Sequence, residues 1–300
     1  MAASITYAAT LISDPRTPSI TPALLAEVAG ALGGAEHRVL APGTAAEFRL
    51  AGRDPRESEA TLRHIVRNEP VDVVVQPAEG RRRRLFLADM DSTMIEQECI
   101  DELADLVGLK AEVAAITERA MQGEIAFEPA LRERVALLKG LSAEVVDQLL
   151  RERITLTPGG ATLVRTMRQH GAYTCLVSGG FTLFTGPIGQ KIGFHEDRAN
   201  RLLVEDGRLV GAVEEPILGR EAKLATLIEL RERLGVPQEA TLAVGDGAND
   251  LAMLGEAGLG VAFHAKPAVA AAAHARVDHG DLTALLYLQG YTAEEFVPAA

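Results

Sequence analysis

Within the first 80 residues, apolar segments of strand length alternate with segments whose apolar residues recur at helical spacing. The helical segment that starts at Ile20 has Thr21 and Pro22 at its beginning, as helices often do. The order β-α-β-β-α-β predicts a ferredoxin-like α+β domain. The predicted elements are strand Ser4–Ser13, helix Ile20–Leu32, strands His37–Leu40 and Glu47–Ala51, helix Ser58–Asn68 and strand Val71–Gln76.

The pattern changes at Leu85 to short, continuously apolar strands that end in small or acidic residues, with helices between them. Continuous apolar runs that alternate with helices are typical of a parallel sheet covered on both faces, so we predict an α/β fold here. The predicted strands are "LFLAD" (85–89), "AYTCLVS" (172–178), "TLAVGD" (241–246) and "GLGVAF" (258–263).

About eighty residues separate the first two of these strands, and nearly all of them have helical patterns. One crossover helix needs far fewer residues, which predicts a helical cap inserted into the sheet domain. Further on, Asp-Gly between two apolar segments at 202–211 predicts a hairpin, and we place 193–201 in the same hairpin region. The predicted cap helices are Glu96–Val107, Glu112–Met121, Phe127–Leu138 and Ala143–Ile154.

These patterns divide the chain into domains. The run Arg81–Arg84 follows Pro and Gly in "PAEGRRRR", and we interpret it as a solvated linker rather than a binding patch. The predicted boundaries are 1–80 for the N-terminal domain, 81–84 for the linker, 85–95 and 158–290 for the core, 96–157 for the cap and 291–300 for a C-terminal tail.

Composition and charge narrow the function classes. The formal net charge of −12 disfavours general binding to nucleic acid or to anionic membranes. Cys99 and Cys175 are far apart and outside any C-x-x-C spacing, so we expect reduced thiols. The N-terminus lacks a signal-peptide pattern, and no apolar run approaches the ~18 residues of a membrane span. We therefore expect a cytoplasmic protein.

Polar residues follow three of the predicted core strands. Ligands of open α/β sheets bind at the carboxyl ends of the strands, so these residues are expected to meet at one edge. A single D-x-D after a strand is more often a turn than a site, but three such strand ends are hard to explain structurally. The residues are Asp89 and Asp91, then Ser178, Gly179 and Gly180, then Asp246, Gly247, Asn249 and Asp250.

Each group has a physical role in phosphoryl chemistry. Clustered carboxylates repel one another and need a cation, and oxygen ligands select a hard one such as Mg²⁺. Ser178 and the N–H groups of Gly179 and Gly180 suit a phosphoryl group. Lys223, on a predicted helix before the third strand, is the candidate for neutralising that group. Taken alone, it would be a surface lysine.

The motifs "DMDST", "SGGF", the later lysine and "GDGAND" resemble the haloacid dehalogenase-type aspartate phosphatases over residues 85–290. The resemblance implies a Rossmann-like core in which Asp89 is the nucleophile, while Asp91 protonates the leaving alcohol and then activates water. It also implies Mg²⁺ held by Asp89, the Asp91 carbonyl and Asp246, with Asn249 and Asp250 supporting the metal and the phosphate.

The cap offers candidates for recognising the rest of the substrate. Glu98 and Arg134 could bind the ammonium and carboxylate of a zwitterion, with Met121 and Phe127 covering its aliphatic part. Taken alone, Arg132 or Arg134 would be a solvated helix arginine and Phe127 a core residue. However, "DSTMIEQE" and "MQGEIAFEPALRERV" resemble the phosphoserine phosphatases, which implies O-phospho-L-serine as substrate and the last step of serine biosynthesis.

The N-terminal domain resembles the ACT-type modules that precede some of these phosphatases, by element order rather than by residues. Serine sensing and dimer contacts, which would give a homodimer through this domain, remain equal alternatives. The stretch "GFHEDRANR" (193–201) departs from the wording expected in the family.

Three other functions compete with this interpretation. One is a related phosphatase or phosphotransferase acting on phosphothreonine or homoserine, which the Glu98–Arg134 pair does not separate from a serine enzyme. Another is a catalytically silent amino-acid sensor, which the intact Asp89 and Asp91 disfavour. A dinucleotide site at "VGDGAND" fails because Asp250 stands where the third glycine belongs.

Overall fold

The N-terminal unit is an antiparallel four-stranded sheet with two helices. A computed structural model of the chain describes residues 6–121 and 124–298, with Met121 described by its backbone alone. The strand order β2-β3-β1-β4 is that of a ferredoxin-like sheet, as predicted. A ligand-binding or dimerising role for this unit stays a prediction. Its elements are β1 (Tyr7–Ile12), α1 (Pro22–Ala31), β2 (His37–Ala41), β3 (Ala45–Leu50), α2 (Pro55–Ile65) and β4 (Asp72–Pro77).

Both helices of this unit begin at side-chain caps. The Leu24 N–H donates to Thr21 Oγ1 at 3.1 Å, and the Glu57 N–H donates to Asp54 Oδ1 at 2.9 Å. A proline occupies the first helical position in each case, where its missing N–H costs nothing. The start of α2 at Pro55 rather than at Ser58 follows from this cap.

The rest of the chain is built on a parallel six-stranded sheet in the order β12-β11-β10-β5-β6-β7, with helices along it. The α/β prediction is confirmed. Its elements are β5 (Leu85–Ala88), α3 (Cys99–Leu106), α4 (Lys110–Met121), α5 (Phe127–Leu137), α6 (Glu144–Glu152), α7 (Gly160–Gln169), β6 (Tyr173–Phe181), α8 (Thr182–Ile192), β7 (Glu196–Asn200), β8 (Leu202–Glu205), β9 (Arg208–Val213), α9 (Arg220–Leu234), β10 (Thr241–Gly245), α10 (Leu251–Glu256), β11 (Leu259–Phe263), α11 (Pro267–Ala272), β12 (Ala275–Val277) and α12 (Ala284–Leu288).

Helices α3 to α6 lie between β5 and β6, where the inserted cap was predicted. The two chain segments that enter and leave this region pair with each other: the Glu96 N–H donates to the Thr155 carbonyl at 3.0 Å, and Ile95 bridges Leu156. The hairpin β8–β9 packs on α5, and the Leu209 N–H donates to the Leu141 carbonyl at 2.8 Å. The cap region is therefore held by a paired hinge and by a hairpin of the core.

The placement of 193–201 in the hairpin region was wrong. Glu196–Asn200 forms β7, the edge strand of the main sheet, and pairs in parallel with β6. The hairpin itself starts only at Leu202. The stretch therefore lies beside the strand that carries Ser178, where it can affect the site.

The interpretation of Arg81–Arg84 as a solvated linker was wrong for Arg81, although Arg82 and Arg84 are exposed. Arg81 Nη1 lies 2.6 Å from Glu47 Oε2, and the two side chains are only 11% and 9% exposed. Arg82 pairs with Glu295 at 2.5 Å. Within the segment, Arg81 therefore binds the N-terminal unit and Arg82 binds the C-terminal part of the chain.

Within the described residues, no helix combines the length and the apolar character that a membrane crossing requires.

Candidate active site

The polar residues predicted to form the site follow three neighbouring strands. β10, β5 and β6 lie side by side in the sheet and run parallel, so their carboxyl ends meet at one edge. Asp89 and Asp246 directly follow β5 and β10, and Ser178 lies three residues before the end of β6. The sheet order therefore brings together groups that are more than 150 residues apart in sequence.

A buried lysine lies between two buried aspartates. Lys223 Nζ is 2.7 Å from Asp89 Oδ1 and 2.7 Å from Asp250 Oδ1. The lysine is only 1% exposed although it belongs to α9, a helix with a largely polar composition. A buried ammonium is tolerated because both neighbours carry the opposite charge.

Burial alone would lower the pKa of Lys223, but the charges of Asp89 and Asp250 outweigh it and raise that pKa. For Asp89, burial and then the charge of Asp250 raise the pKa well above its usual value, while Lys223 opposes the shift. Lys223 is thus a permanent cation, and the carboxylates around it carry more negative charge than one lysine balances.

Asp89, Asp246 and Asp250 form an acidic cluster that could hold a metal ion. One carboxylate oxygen from each lies within 4.8 Å of the other two. Burial and the charge of Asp250 raise the pKa of Asp246, whose Oδ1 accepts from Thr93 Oγ1 at 3.1 Å. An oxygen-only donor set with surplus negative charge fits a hard divalent cation.

Asp250 differs from the other two carboxylates in its partners. Its Oδ1 accepts from Lys223 Nζ at 2.7 Å, and its Oδ2 accepts from the Gly247 N–H at 3.0 Å. Both oxygens are therefore already engaged by the chain, which suits a supporting role better than direct metal ligation. Asn249 lies half-buried in the same turn, with its amide oxygen over Gly247.

Asp91 is held apart from the acidic cluster by its own donors. Its Oδ1 accepts from the Cys99 N–H at 2.9 Å, and its Oδ2 accepts from Ser178 Oγ at 3.1 Å. Burial raises the pKa of Asp91, and these hydrogen bonds partly offset the shift. A carboxyl group with a raised pKa, fixed next to the Ser178 loop, suits a group that gives and takes a proton.

Ser178, Gly179 and Gly180 form a short loop beside Asp91. Ser178 Oγ accepts from the Gly180 N–H at 2.8 Å, and this hydroxyl is the one that donates to Asp91. The predicted phosphate-binding residues and the predicted proton-transfer residue are thus joined by direct hydrogen bonds.

Glu98, predicted to bind the rest of the substrate, lies close enough to Asp91 and Asp246 for their charges to act on it. Its Oε1 accepts from Ser92 Oγ at 2.6 Å. The side chain keeps contact with solvent but is surrounded by protein on most sides, as in an open cleft. Burial and the charge of Asp91 raise the pKa of Glu98 to about 7.

Arg134 faces the same side of the cap. Burial lowers its pKa, and the charges of Asp101 and Glu98 oppose that shift, so Glu98 acts on it electrostatically. Arg134 Nη1 donates to Thr117 Oγ1 at 3.4 Å. Arg132, two residues earlier, instead pairs with Glu215 at 2.7 Å on the surface. Substrate binding by Arg134 stays a prediction.

Phe127 lies at the start of α5 and remains 38% exposed. Its ring comes within 3.4 Å of the position that a Cβ would occupy at Gly179, and equally close at Gly219. The ring therefore covers the backbone of the Ser178 loop. Met121 ends α4, and its side chain lies outside the described residues.

Two residues at the site were missed from the sequence. Thr93, directly after the D-x-D-S motif, donates to Asp246, and a hydroxyl next to an acidic motif was the available signal. Asn200 donates to the Gly179 carbonyl at 2.9 Å. It belongs to 193–201, where a buried polar residue in an edge strand gives no periodic pattern.

Comparison with known proteins identifies the family of the chain. Residues 86–255 match the haloacid dehalogenase-like hydrolases. A phosphoserine phosphatase of Streptomyces coelicolor is 42% identical over 292 residues, which are 95% of this chain and 71% of that protein. A phosphoserine phosphatase of a Polaromonas species is 49% identical over 210 residues, which are 68% of this chain and 89% of its own.

A solved structure extends the similarity beyond the core. The unliganded probable phosphoserine phosphatase of Vibrio cholerae superimposes with a TM-score of 0.78 at 30% identity, covering 97% of this chain and 88% of that one. The residues matched by the haloacid dehalogenase family, 86–255, include Asp89, Ser178 and Asp246. The chain belongs to the haloacid dehalogenase-like hydrolases.

Proposed function

We propose that the chain is a phosphoserine phosphatase, which hydrolyses O-phospho-L-serine to L-serine and phosphate, the last step of serine biosynthesis. The observation that carries the proposal is the pairing of Asp89 with Lys223 while Asp91 bonds to Ser178. These contacts bring the proposed nucleophile close to a cation and the proposed proton-transfer group close to the loop proposed to bind phosphate. Relatives named phosphoserine phosphatase that match most of this chain support the substrate.

In the first half-reaction, a carboxylate oxygen of Asp89 forms a bond to phosphorus as the bond from phosphorus to the seryl oxygen breaks. Asp91, in its protonated form, gives its proton to the departing seryl oxygen. In the second half-reaction, the Asp91 carboxylate takes a proton from water, whose oxygen attacks phosphorus. Phosphate leaves and the Asp89 carboxylate is restored.

Lys223 and the Ser178 loop act on the phosphoryl oxygens. Lys223 is a permanent cation 2.7 Å from the attacking carboxylate, so it reduces the repulsion between that carboxylate and the anionic phosphoryl group. The Gly179 N–H is assigned to the same oxygens, because the Gly180 N–H already donates to Ser178 Oγ. The chain thereby orients the phosphoryl group in line with Asp89.

The acidic cluster fits Mg²⁺ as a resident cofactor. Asp89, Asp246 and the Asp91 carbonyl would hold it, with Asp250 and Asn249 in support. When bound, the cation supplies charge stabilisation for the phosphoryl oxygens. Because Asp89 and Asp246 have raised pKa values, a bound cation also favours the ionised Asp89 that attack requires.

Recognition of the serine moiety is assigned to the cap region. Glu98 binds the ammonium, Arg134 binds the carboxylate, and Phe127 with Met121 covers the aliphatic part and excludes water. The electrostatic effect of Glu98 on Arg134 supports the pair, because a zwitterion presents its two charges a few ångströms apart.

The test is a Mg²⁺-dependent phosphate-release assay over phosphoserine, phosphothreonine and simple phosphate esters, run with and without homoserine as acceptor. We expect phosphoserine to have the highest kcat/KM and homoserine to have no effect. A higher kcat/KM for phosphothreonine would show that phosphothreonine is the substrate. Transfer of phosphate to homoserine would show that the enzyme is a phosphotransferase. Binding of phosphoserine without phosphate release at any Mg²⁺ concentration would identify a sensor instead.

A further inference from the structure

The Ser178 loop is a bulge in the parallel sheet. On β6 and β7, Val177 pairs with Arg198, and the next pair is Phe181 with Asn200. Three residues of β6 therefore stand opposite a single residue of β7. The two extra residues push the chain out of the sheet plane, and an unpaired bulge has no ladder hydrogen bonds to keep its shape.

Asn200 supplies the missing hydrogen bonds with its side chain. Its Nδ2 donates to the Gly179 carbonyl at 2.9 Å and to the Leu218 carbonyl at 3.1 Å. Its Oδ1 accepts from the Leu218 N–H at 2.7 Å. The residue is only 2% exposed, and both of its amide N–H groups are engaged, so this orientation of the amide is the one that satisfies it.

The second segment that Asn200 binds leads directly into the lysine helix. Leu218 and Gly219 precede α9, which begins at Arg220 and carries Lys223 in its first turns. One side chain thus connects the loop that donates to the phosphoryl group with the helix that brings the neutralising ammonium. The ring of Phe127 lies against both connected segments, at Gly179 and Gly219.

We propose that Asn200 is a positioning residue that sets the distance between the phosphate-binding loop and Lys223 and holds together the two backbone segments, at Gly179 and Gly219, on which Phe127 of the cap rests. The proposal rests on the proposed phosphatase function. Loss of its two donors would release the Gly179 carbonyl and the Leu218 carbonyl together, which displaces the loop relative to the lysine. A displacement of about 1 Å at a reacting group costs about 100-fold in rate.

Three variants remove the side-chain hydrogen bonds of Asn200 to different extents. Asn200→Ser keeps one donor and is the mildest. Asn200→Ala removes all three hydrogen bonds, and Asn200→Asp keeps the shape but sets a carboxylate against two carbonyl oxygens. Thr185→Val is the matched control, because Thr185 Oγ1 donates to Asp197 of the same strand at 2.5 Å, away from the loop. It removes one buried hydrogen bond to β7 and leaves the bulge intact.

The measurements are kcat and KM for phosphoserine and for p-nitrophenyl phosphate, inhibition by inorganic phosphate, and the unfolding temperature. We expect kcat to fall about 100-fold for both substrates in Asn200→Ala and further in Asn200→Asp. Inhibition by inorganic phosphate should weaken about tenfold, since the loop binds the phosphoryl group. For Asn200→Ser, kcat and phosphate inhibition should lie between those of the wild type and those of Asn200→Ala. For Thr185→Val, both should stay within about twofold of the wild type.

A folded Asn200→Ser or Asn200→Asp variant with wild-type kcat and wild-type phosphate inhibition would overturn the proposal. So would an equal loss in Thr185→Val, or a loss confined to phosphoserine, which would assign Asn200 to the serine moiety. Because p-nitrophenyl phosphate lacks that moiety, its rates test Asn200 even where phosphoserine is not turned over by the wild type. If the wild type does not turn over phosphoserine, the proposed function is contradicted, but the role proposed for Asn200 is not.

Discussion

At the scale of single residues, three aspartates of the site differ by the donors around them. Asp89 faces Lys223, Asp91 faces Ser178 and the Cys99 N–H, and Asp250 is engaged on both oxygens. Identical side chains therefore have different chemistry available. The proposed division into nucleophile, proton-transfer group and support rests on these partners.

Asp89→Asn tests the assignment of the nucleophile. An amide at this position keeps the shape of the side chain but cannot form the bond to phosphorus. We expect turnover of phosphoserine to fall by about 10⁵-fold or more, with binding retained. Phosphate release and calorimetric titration with phosphoserine measure the two quantities. Turnover near that of the wild type would contradict the assignment.

The raised pKa of Glu98 predicts that KM for phosphoserine depends on pH. With a pKa of about 7, the carboxylate is mostly ionised at pH 8 and mostly protonated at pH 6. Binding an ammonium requires the ionised form, so KM for phosphoserine should rise about tenfold as the pH falls across this range. For p-nitrophenyl phosphate, which has no ammonium, KM should follow phosphate ionisation alone. Glu98→Gln should abolish the difference between the two substrates, and a difference that persists in this variant would exclude Glu98.

Arg134→Ala tests recognition of the substrate carboxylate, with Arg132→Ala as the control from the same helix. A charge-assisted pair in a partly buried site is worth about 1.5–3 kcal/mol, so KM for phosphoserine should rise about 10- to 100-fold. KM for p-nitrophenyl phosphate should change little. Arg132 pairs with surface carboxylates, and its loss should leave both constants nearly unchanged. Equal effects of the two variants on KM for phosphoserine would show that Arg134 does not bind the substrate carboxylate.

At the scale of elements, apolar continuity was enough to find the strands buried on both faces. β5, β6, β10 and β11 were all predicted, with ends within a few residues of those observed. The polar strand β7, with the sequence EDRAN, was missed because an edge strand has one neighbour and needs no continuous apolar run. The bulge in β6 was equally invisible, since it depends on the register between two strands.

The connecting segment offers a stability prediction at this scale. Arg81→Ala leaves the buried carboxylate of Glu47 without its partner, which we expect to lower the free energy of unfolding by about 3 kcal/mol. Urea unfolding measures this loss. Arg84, whose side chain is exposed, gives the control: Arg84→Ala should change stability by less than about 0.5 kcal/mol. An unchanged stability in Arg81→Ala would mean that Glu47 finds water instead.

At the scale of the whole molecule, the N-terminal unit is fixed to the core by polar contacts as well as by packing. Asp72 of β4 accepts from the N–H groups of Asp278, His279 and Gly280 at 2.8, 3.1 and 2.8 Å. Burial raises the pKa of Asp72, and these three hydrogen bonds oppose the shift. The two units are therefore joined by an anchor that tolerates little rearrangement.

Asp72→Ala should loosen this junction. Three backbone N–H groups lose their acceptor, so the free energy of unfolding should fall by about 2 kcal/mol or more. Amide hydrogen exchange should become faster at residues 278–280, and the change should spread to β4. Asp54→Ala is the comparison, because it removes an exposed helix cap within the N-terminal unit and should cost about 1 kcal/mol without affecting residues 278–280. Unchanged exchange at those three residues in Asp72→Ala would contradict the anchor.

The sequence by itself determined the fold class, the order of the units and the family, because buried strands need continuous apolar runs and the phosphoryl chemistry needs carboxylates at their ends. Only the tertiary structure decided that Lys223 lies between Asp89 and Asp250, that Arg81 binds one unit and Arg82 the other, and that Asn200 holds the loop at Gly179. Each of these contacts joins residues from different elements. Burial, register and charge pairing arise when the elements pack, and no local pattern encodes them.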